Sequence, residues 1–216
     1  CTHSRNWIQT MVNAFEDEVG FVARPVDFQN SGKYFEKLQR LEFAGLVLSG
    51  AGLIASKQPA ICSAANIAYR KVLFEEVGGY QDNKSLSSGD DELLMQKIHK
   101  NTAFTVDYCF KKDAMVTTKP NASVEDFYQQ RKRWASKGVF YSDKFLILRL
   151  VLIYLFYLIL PAQLVLAFAW NSVFLVTFAF TFLLKVTYEY LIMKKGAKEL
   201  YDDKMLAVFL PAELLH

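Results

Sequence analysis

The chain falls into two parts by its hydrophobic pattern. Up to residue 144, apolar, charged and aromatic positions are mixed. From Phe145 onward apolar positions dominate, and from Leu150 to Leu184 there is no charged side chain. One helix over that run would be about 50 Å long at about 1.5 Å per residue, against a hydrocarbon core of about 30 Å. The pattern therefore predicts two membrane passes, broken at Pro161 or at Trp170-Asn171-Ser172. The second break is favoured and places helices over 146–169 and 172–193. Lys144 and Arg149 flank the first helix, and Lys194, Lys195 and Lys198 follow the second. By the positive-inside rule, both ends then face the cytosol. Residues 194–216 read as a cytosolic or interfacial segment, either an amphipathic helix or the approach to a further membrane helix. Lys185 and Glu189 lie one turn apart in the second helix. They mark either an interfacial helix end with a snorkelling or paired charge, or a transport function.

The first 144 residues alternate short strands with helices, which predicts an α/β domain. Helices are expected over Trp7–Glu18, Lys33–Ser56, Arg70–Val77, Asp91–Lys100 and Val124–Lys137. Strands are expected over Gly20–Asp27, Ala60–Ser63, Ala103–Tyr108 and Ala114–Thr118. Gly78-Gly79 supplies a helix stop, and Ser123 with Glu125 and Asp126 supplies a helix start. The apolar portion Gly45–Ala55 of the long second helix is too short to span a bilayer.

Composition adds little beyond this. A net charge of +3 does not argue for nucleic acid, and the positive charge gathers at Arg131, Lys132, Arg133, Lys137, Lys144 and Arg149, just ahead of the apolar block. Cys1, Cys62 and Cys109 are odd in number and far apart, and they read as reduced thiols of a cytosolic domain. The start on Cys1 without Met, and the end inside an apolar segment, predict a fragment of a longer protein.

Three stretches carry chemistry. In Ser87-Ser-Gly-Asp-Asp-Glu92 a glycine turn delivers Asp90 and Asp91 to the start of a helix. There they either cap the helix or provide a carboxylate general base. On the last helix of the domain, Gln130, Arg133 and Trp134 are spaced by three and four residues and so share one surface. Amide, guanidinium and indole together suit a sugar and a diphosphate, while the same helix could rest on anionic lipid head groups. In Cys62-Ser-Ala-Ala-Asn-Ile-Ala-Tyr-Arg70, small residues surround Asn66, whose amide could bind a hydroxyl-rich ligand. Taken alone, a strand, a turn and a capped helix are the favoured explanation of that stretch.

In order, Asn66-Ile-Ala-Tyr-Arg70, Val77-Gly-Gly-Tyr80, Asp90-Asp91 and Gln130-Arg-Lys-Arg-Trp134 resemble the second half of the catalytic domain of membrane-bound family 2 glycosyltransferases. That group includes the cellulose, chitin, hyaluronan and poly-N-acetylglucosamine synthases. The resemblance covers roughly residues 1–145, and a membrane hairpin follows where the family puts one. It implies a partial GT-A domain over 1–144, a transmembrane α-helical hairpin over 145–193 and the trailing segment 194–216. It further implies an inverting hexosyl- or N-acetylhexosaminyltransferase of the cytoplasmic membrane, using a nucleotide-sugar donor such as a UDP-sugar and a saccharide or lipid acceptor. By the same resemblance Asp91 would be the catalytic base and Asp90 its support or an acceptor ligand. Gln130, Arg133 and Trp134 would hold the donor diphosphate and the acceptor, with Asn66 in the substrate-binding set. A divalent cation, Mg2+ or Mn2+, is implied, with its Asp-x-Asp ligands upstream of Cys1, so the fragment alone is expected to be inactive. Membrane lipids are expected partners and nucleic acid is not. A non-catalytic scaffold that keeps the fold, and a small transporter built on Lys185 and Glu189, are the competing readings.

Overall fold

The computed structural model describes residues 1–30, 32–81, 88–136, 141 and 143–215. It resolves into two compact units, one of Cys1–Lys137 with Met193–His216, the other of Gly138–Ile192.

In the first unit the elements run β1 (Thr2–His3), α1 (Trp7–Val12), β2 (Val19–Ala23), β3 (Val26–Phe28), α2 (Tyr34–Ala55), β4 (Ile67–Tyr69), α3 (Lys71–Glu76), α4 (Asp90–Asn101), β5 (Thr105–Tyr108), β6 (Val116–Thr118) and α5 (Val124–Ala135). Two three-stranded sheets form, in the orders β4-β2-β5 and β1-β6-β3. β2 is the central strand of the first, antiparallel to β4 and parallel to β5, and all five of its residues are buried. Such a strand has no solvent face, which is why Val-Gly-Phe-Val-Ala reads as a continuous apolar run. Gly20 is required there, since a Cβ would come within 2.4 Å of Leu73 Cδ1 and 2.7 Å of Phe104 Cβ. Phe21, Leu94, Met95 and Ile98 close the core between β2 and α4. Each contributes roughly 1.5–3 kcal/mol by burial.

The single strand expected over Gly20–Asp27 is divided at Arg24-Pro25 between the two sheets. Pro25 has no N–H for a ladder, and Arg24 turns inward to pair with Asp107 at 3.3 Å. The strand expected at Ala60–Ser63 is displaced to Ile67–Tyr69, because a 3-10 turn at Ala64–Asn66 intervenes before the chain pairs with β2. α1 stops at Val12 rather than Glu18, as Ala14 and Phe15 tighten into three-residue-spaced bonds to Met11 and Val12. The expected end of α5 at Lys137 lies outside the described residues.

The trailing segment belongs to this unit. α7 (Val173–Glu199) leads to a 3-10 stretch at Asp203–Val208 and to α8 (Phe209–Leu215). Gly196 lies against Leu48 of α2 so closely that a Cβ would meet its Cδ1 at 2.3 Å. Tyr201 Oη donates to Val26 O at 3.2 Å. Arg40 of α2 donates to both Asp27 oxygens, at 2.9 and 2.7 Å, and to Asp202 Oδ2 at 2.7 Å. Burial disfavours ionised Asp202, but its bonds from Arg40 and the Arg40 charge prevail and lower its pKa.

Among the described residues three helices are long and apolar enough to cross a membrane: α2, α6 (Lys144–Ala169) and α7. Within α2, 56% of the apolar window is buried in its own unit, against 11% for α6 and 6% for α7. The apolar residues of α2 are therefore used as core, while those of α6 and α7 have almost no protein cover. In the second unit Lys185 Nζ meets Glu189 Oε2 at 2.8 Å, Tyr157 Oη donates to Glu189 Oε1 at 3.2 Å, and Thr181 Oγ1 donates to Gln163 Oε1 at 3.0 Å.

Removing Arg40 would strand the nearly buried Asp27 carboxylate. Arg40→Met should lower unfolding free energy by about 3–5 kcal/mol, and the Arg40→Met/Asp27→Asn double variant should lose less, both read from thermal midpoints of the purified protein. The Asp202 contribution, from a depressed carboxyl pKa, is complete above about pH 4 and is lost as pH falls through the folded value.

Candidate functional site

Gly89, at φ 100°, turns the chain into α4 and places Asp90 and Asp91 in its first turn. The two acids then diverge. Asp90 is exposed, while Asp91 is half-buried and its Oδ2 accepts the Ala64 backbone N–H at 2.6 Å. Asp91 is thus fixed across to the small-residue turn, which gives this carboxylate a set orientation at the helix start. A charge-assisted bond of this kind is short and strong.

Two tyrosines stand beside the acids that the sequence reading did not assign. Tyr80 Oη lies 3.3 Å from Tyr69 Oη. Burial, then Tyr69, then the Asp90 and Asp91 carboxylates raise the Tyr80 pKa above its ordinary value, so its phenol stays protonated. The signal was available in Val77-Gly-Gly-Tyr80: Gly78 and Gly79 both take positive φ, 76° and 54°, to return the chain toward α4.

Asn66 is placed differently from a ligand-binding amide. It is 1% exposed. Its Nδ2 donates to Pro25 O and Ala114 O, both at 2.7 Å, and its Oδ1 accepts Trp7 Nε1–H at 2.9 Å. Both amide hydrogens tie together segments from the two sheets, so the side chain works as an internal strut.

α5 starts at Ser123, whose Oγ accepts Asp126 N–H at 3.0 Å. Gln130 and Arg133 line an open groove of about 800 Å³ with Asn121, Asp126, Gln129 and Lys132. Trp134 does not join them. It packs on Phe43 of α2, ring centroids 6.0 Å apart, in the cluster with Val26 and Phe28. The three-and-four spacing put Trp134 on the same helix flank, but the apolar surface of α2 claims the indole. Arg131, absent from the expected site, fixes this arrangement. Its guanidinium lies 4.3 Å from the Phe127 ring and 4.4 Å from the Trp134 ring. It also pairs through two nitrogens with the Glu42 carboxylate and donates to Gln130 Oε1 at 2.7 Å. A planar, stacked, forked contact of this kind is specific to arginine.

Among the described residues no group of three or more His, Cys, Asp and Glu side chains is placed to hold a metal ion.

The strut assignment of Asn66 is testable. Asn66→Ala removes the side-chain partner of Ala114 O and of the Trp7 indole N–H, while Pro25 O keeps its bond from Val116 N–H, and should cost about 2–3 kcal/mol of stability. The KM values of the protein that remains folded should be close to wild type, measured side by side with its thermal midpoint.

No curated protein matches the chain. The family model described as Glycosyl transferase family group 2 matches residues 4–214, nearly the whole chain, spanning the acids at 90 and 91, the groove helix and both long apolar helices. By this match the chain belongs to glycosyl transferase family group 2.

Proposed function

We propose that the chain is the acceptor-side part of an inverting, membrane-bound transferase, with Asp91 as its base. The observation that carries this reading is the short bond from Ala64 N–H to Asp91 Oδ2. It holds the carboxylate at a loop–helix junction, where an acceptor hydroxyl can approach. In the proposed step the acceptor oxygen attacks the anomeric carbon of a nucleotide sugar. Its proton passes to Asp91, the anomeric carbon–oxygen bond to phosphate breaks, and the nucleoside diphosphate leaves with the electron pair. One displacement inverts the anomeric configuration. Arg133, Lys132 and the Gln130 amide line a donor-rich groove suited to the leaving diphosphate or to sugar hydroxyls. The donor is proposed to be a UDP-hexose or UDP-N-acetylhexosamine, and the acceptor a saccharide or lipid of the cell surface.

We further propose that α6 and α7 form a transmembrane hairpin. Gln163 meets Thr181, and Tyr157 meets Glu189, so residue numbers rise on one helix as they fall on the other. Lys185 is 8% exposed and satisfied by Glu189 and the Tyr157 ring. A self-contained pair is what lipid demands of a charge at that depth.

Two experiments test these readings. In membranes carrying the full-length protein, Asp91→Asn should lower sugar transfer from a panel of UDP-sugars by about 10²–10⁴-fold, with the thermal midpoint retained; activity within twofold of wild type would refute the base. With Cys62 and Cys109 replaced and Cys1 kept, Asn171→Cys should react with an impermeant maleimide only from the side opposite to Cys1. Labelling of both from one side removes the hairpin.

A further inference from the structure

Gln39 of α2 is 1% exposed, and an uncharged polar side chain buried so fully needs partners. It finds them all on one residue of the groove. Gln39 Nε2 donates to Asn121 O at 3.0 Å, and Gln39 Oε1 accepts from Asn121 N at 3.0 Å and from Asn121 Nδ2 at 3.1 Å. The first two bonds copy the way one strand pairs with another, so the side-chain amide acts as a one-residue strand partner for the loop between β6 and α5. Asn121 then passes this order on. Its Nδ2 also donates to Gln130 Oε1 at 3.0 Å, and Arg131 Nη1 donates to the same oxygen.

The consequence concerns which end of the Gln130 amide reaches the groove. Two donors hold Oε1, so the Nε2 hydrogens are the end left to a ligand. From this geometry we propose that Gln39 is a positioning residue for the groove. Through Asn121 it fixes the Pro120–Ala122 wall and sets the Gln130 amide donor-outward, toward a diphosphate or a sugar hydroxyl. Glu42, one turn further along α2, holds Arg131 and thereby secures the other side of the same amide. The proposal rests on the groove being the ligand site of the transferase.

Gln39→Met keeps the length and volume of the side chain and removes all three bonds. Gln39→Glu keeps the acceptor oxygen and removes the donor. Each is compared with wild type and Arg133→Met, using the whole protein in detergent, inorganic pyrophosphate as the probe in titration calorimetry, and amide hydrogen exchange at Asn121. The expected result is faster exchange at Asn121 in Gln39→Met and a dissociation constant raised at least fivefold, with Gln39→Glu between it and wild type. If Gln39→Met does not fold, the graded loss in Gln39→Glu carries the test. Faster exchange with wild-type affinity, while Arg133→Met binds weakly, overturns the positioning role alone. Affinity unmoved by Arg133→Met, or no binding by wild type, overturns the groove as ligand site and the positioning role with it.

Discussion

One buried cation sets the arrangement of the first unit. Arg40 sits on α2 with only 7% of its surface exposed, among apolar neighbours where an unpaired guanidinium could not remain. Its donors are met by Asp27 on β3 and by Asp202 beyond α7. A helix, a strand and the trailing segment must therefore converge at one point. Burial of ions yields little net stability when the pair is good, and a large penalty when it is broken. The Arg40 contacts therefore specify register more than they add free energy. The neighbouring polar positions of α2 repeat the principle, since Gln39 and Glu42 each hold a separate part of the groove.

The same helix explains how an apolar stretch can belong to a mixed α/β unit and not to the bilayer. Its apolar face meets Phe28, Trp134 and Leu73's cluster, and its polar face carries buried partners in place of lipid. Along α6, and along α7 up to Ile192, the described residues have little protein cover, and their polar contacts include Lys185 with Glu189 and Tyr157, and Gln163 with Thr181. The lower mean hydropathy of α2, 1.2 against 2.4 and 1.5, goes with the polar side that carries Gln39, Arg40 and Glu42.

Much of this was legible in the order of residues. α2, α3, α4 and α5 fall within one or two residues of the starts expected from Lys33, Arg70, Asp91 and Val124, because caps and glycines act locally. The long apolar run after Phe145 was legible from composition alone, and the structure has the two apolar helices α6 and α7 there. What escaped depends on partners distant in sequence. Asn66 looks like an accessible amide among small residues, yet its partners are at Pro25, Ala114 and Trp7. Trp134 follows the helical repeat onto the ligand side, yet Phe43 draws it inward. Arg131 was read as one charge in a basic run, and only Glu42, 89 residues away, reveals its use. The docking of residues 193–209 on α2 was equally hidden, since Gly196 and Asp202 carry no local signal of Leu48 and Arg40.

The central claim is a single displacement in which one carboxylate, Asp91, takes the acceptor proton. The most direct measurement is proton NMR of the glycosidic linkage in the first product formed from an α-linked UDP-sugar by membranes containing the full-length protein. The account predicts a β-linked product with no α-linked precursor. An α-linked first product would contradict it, because a single back-side displacement on an α-linked donor gives only the β-linked product.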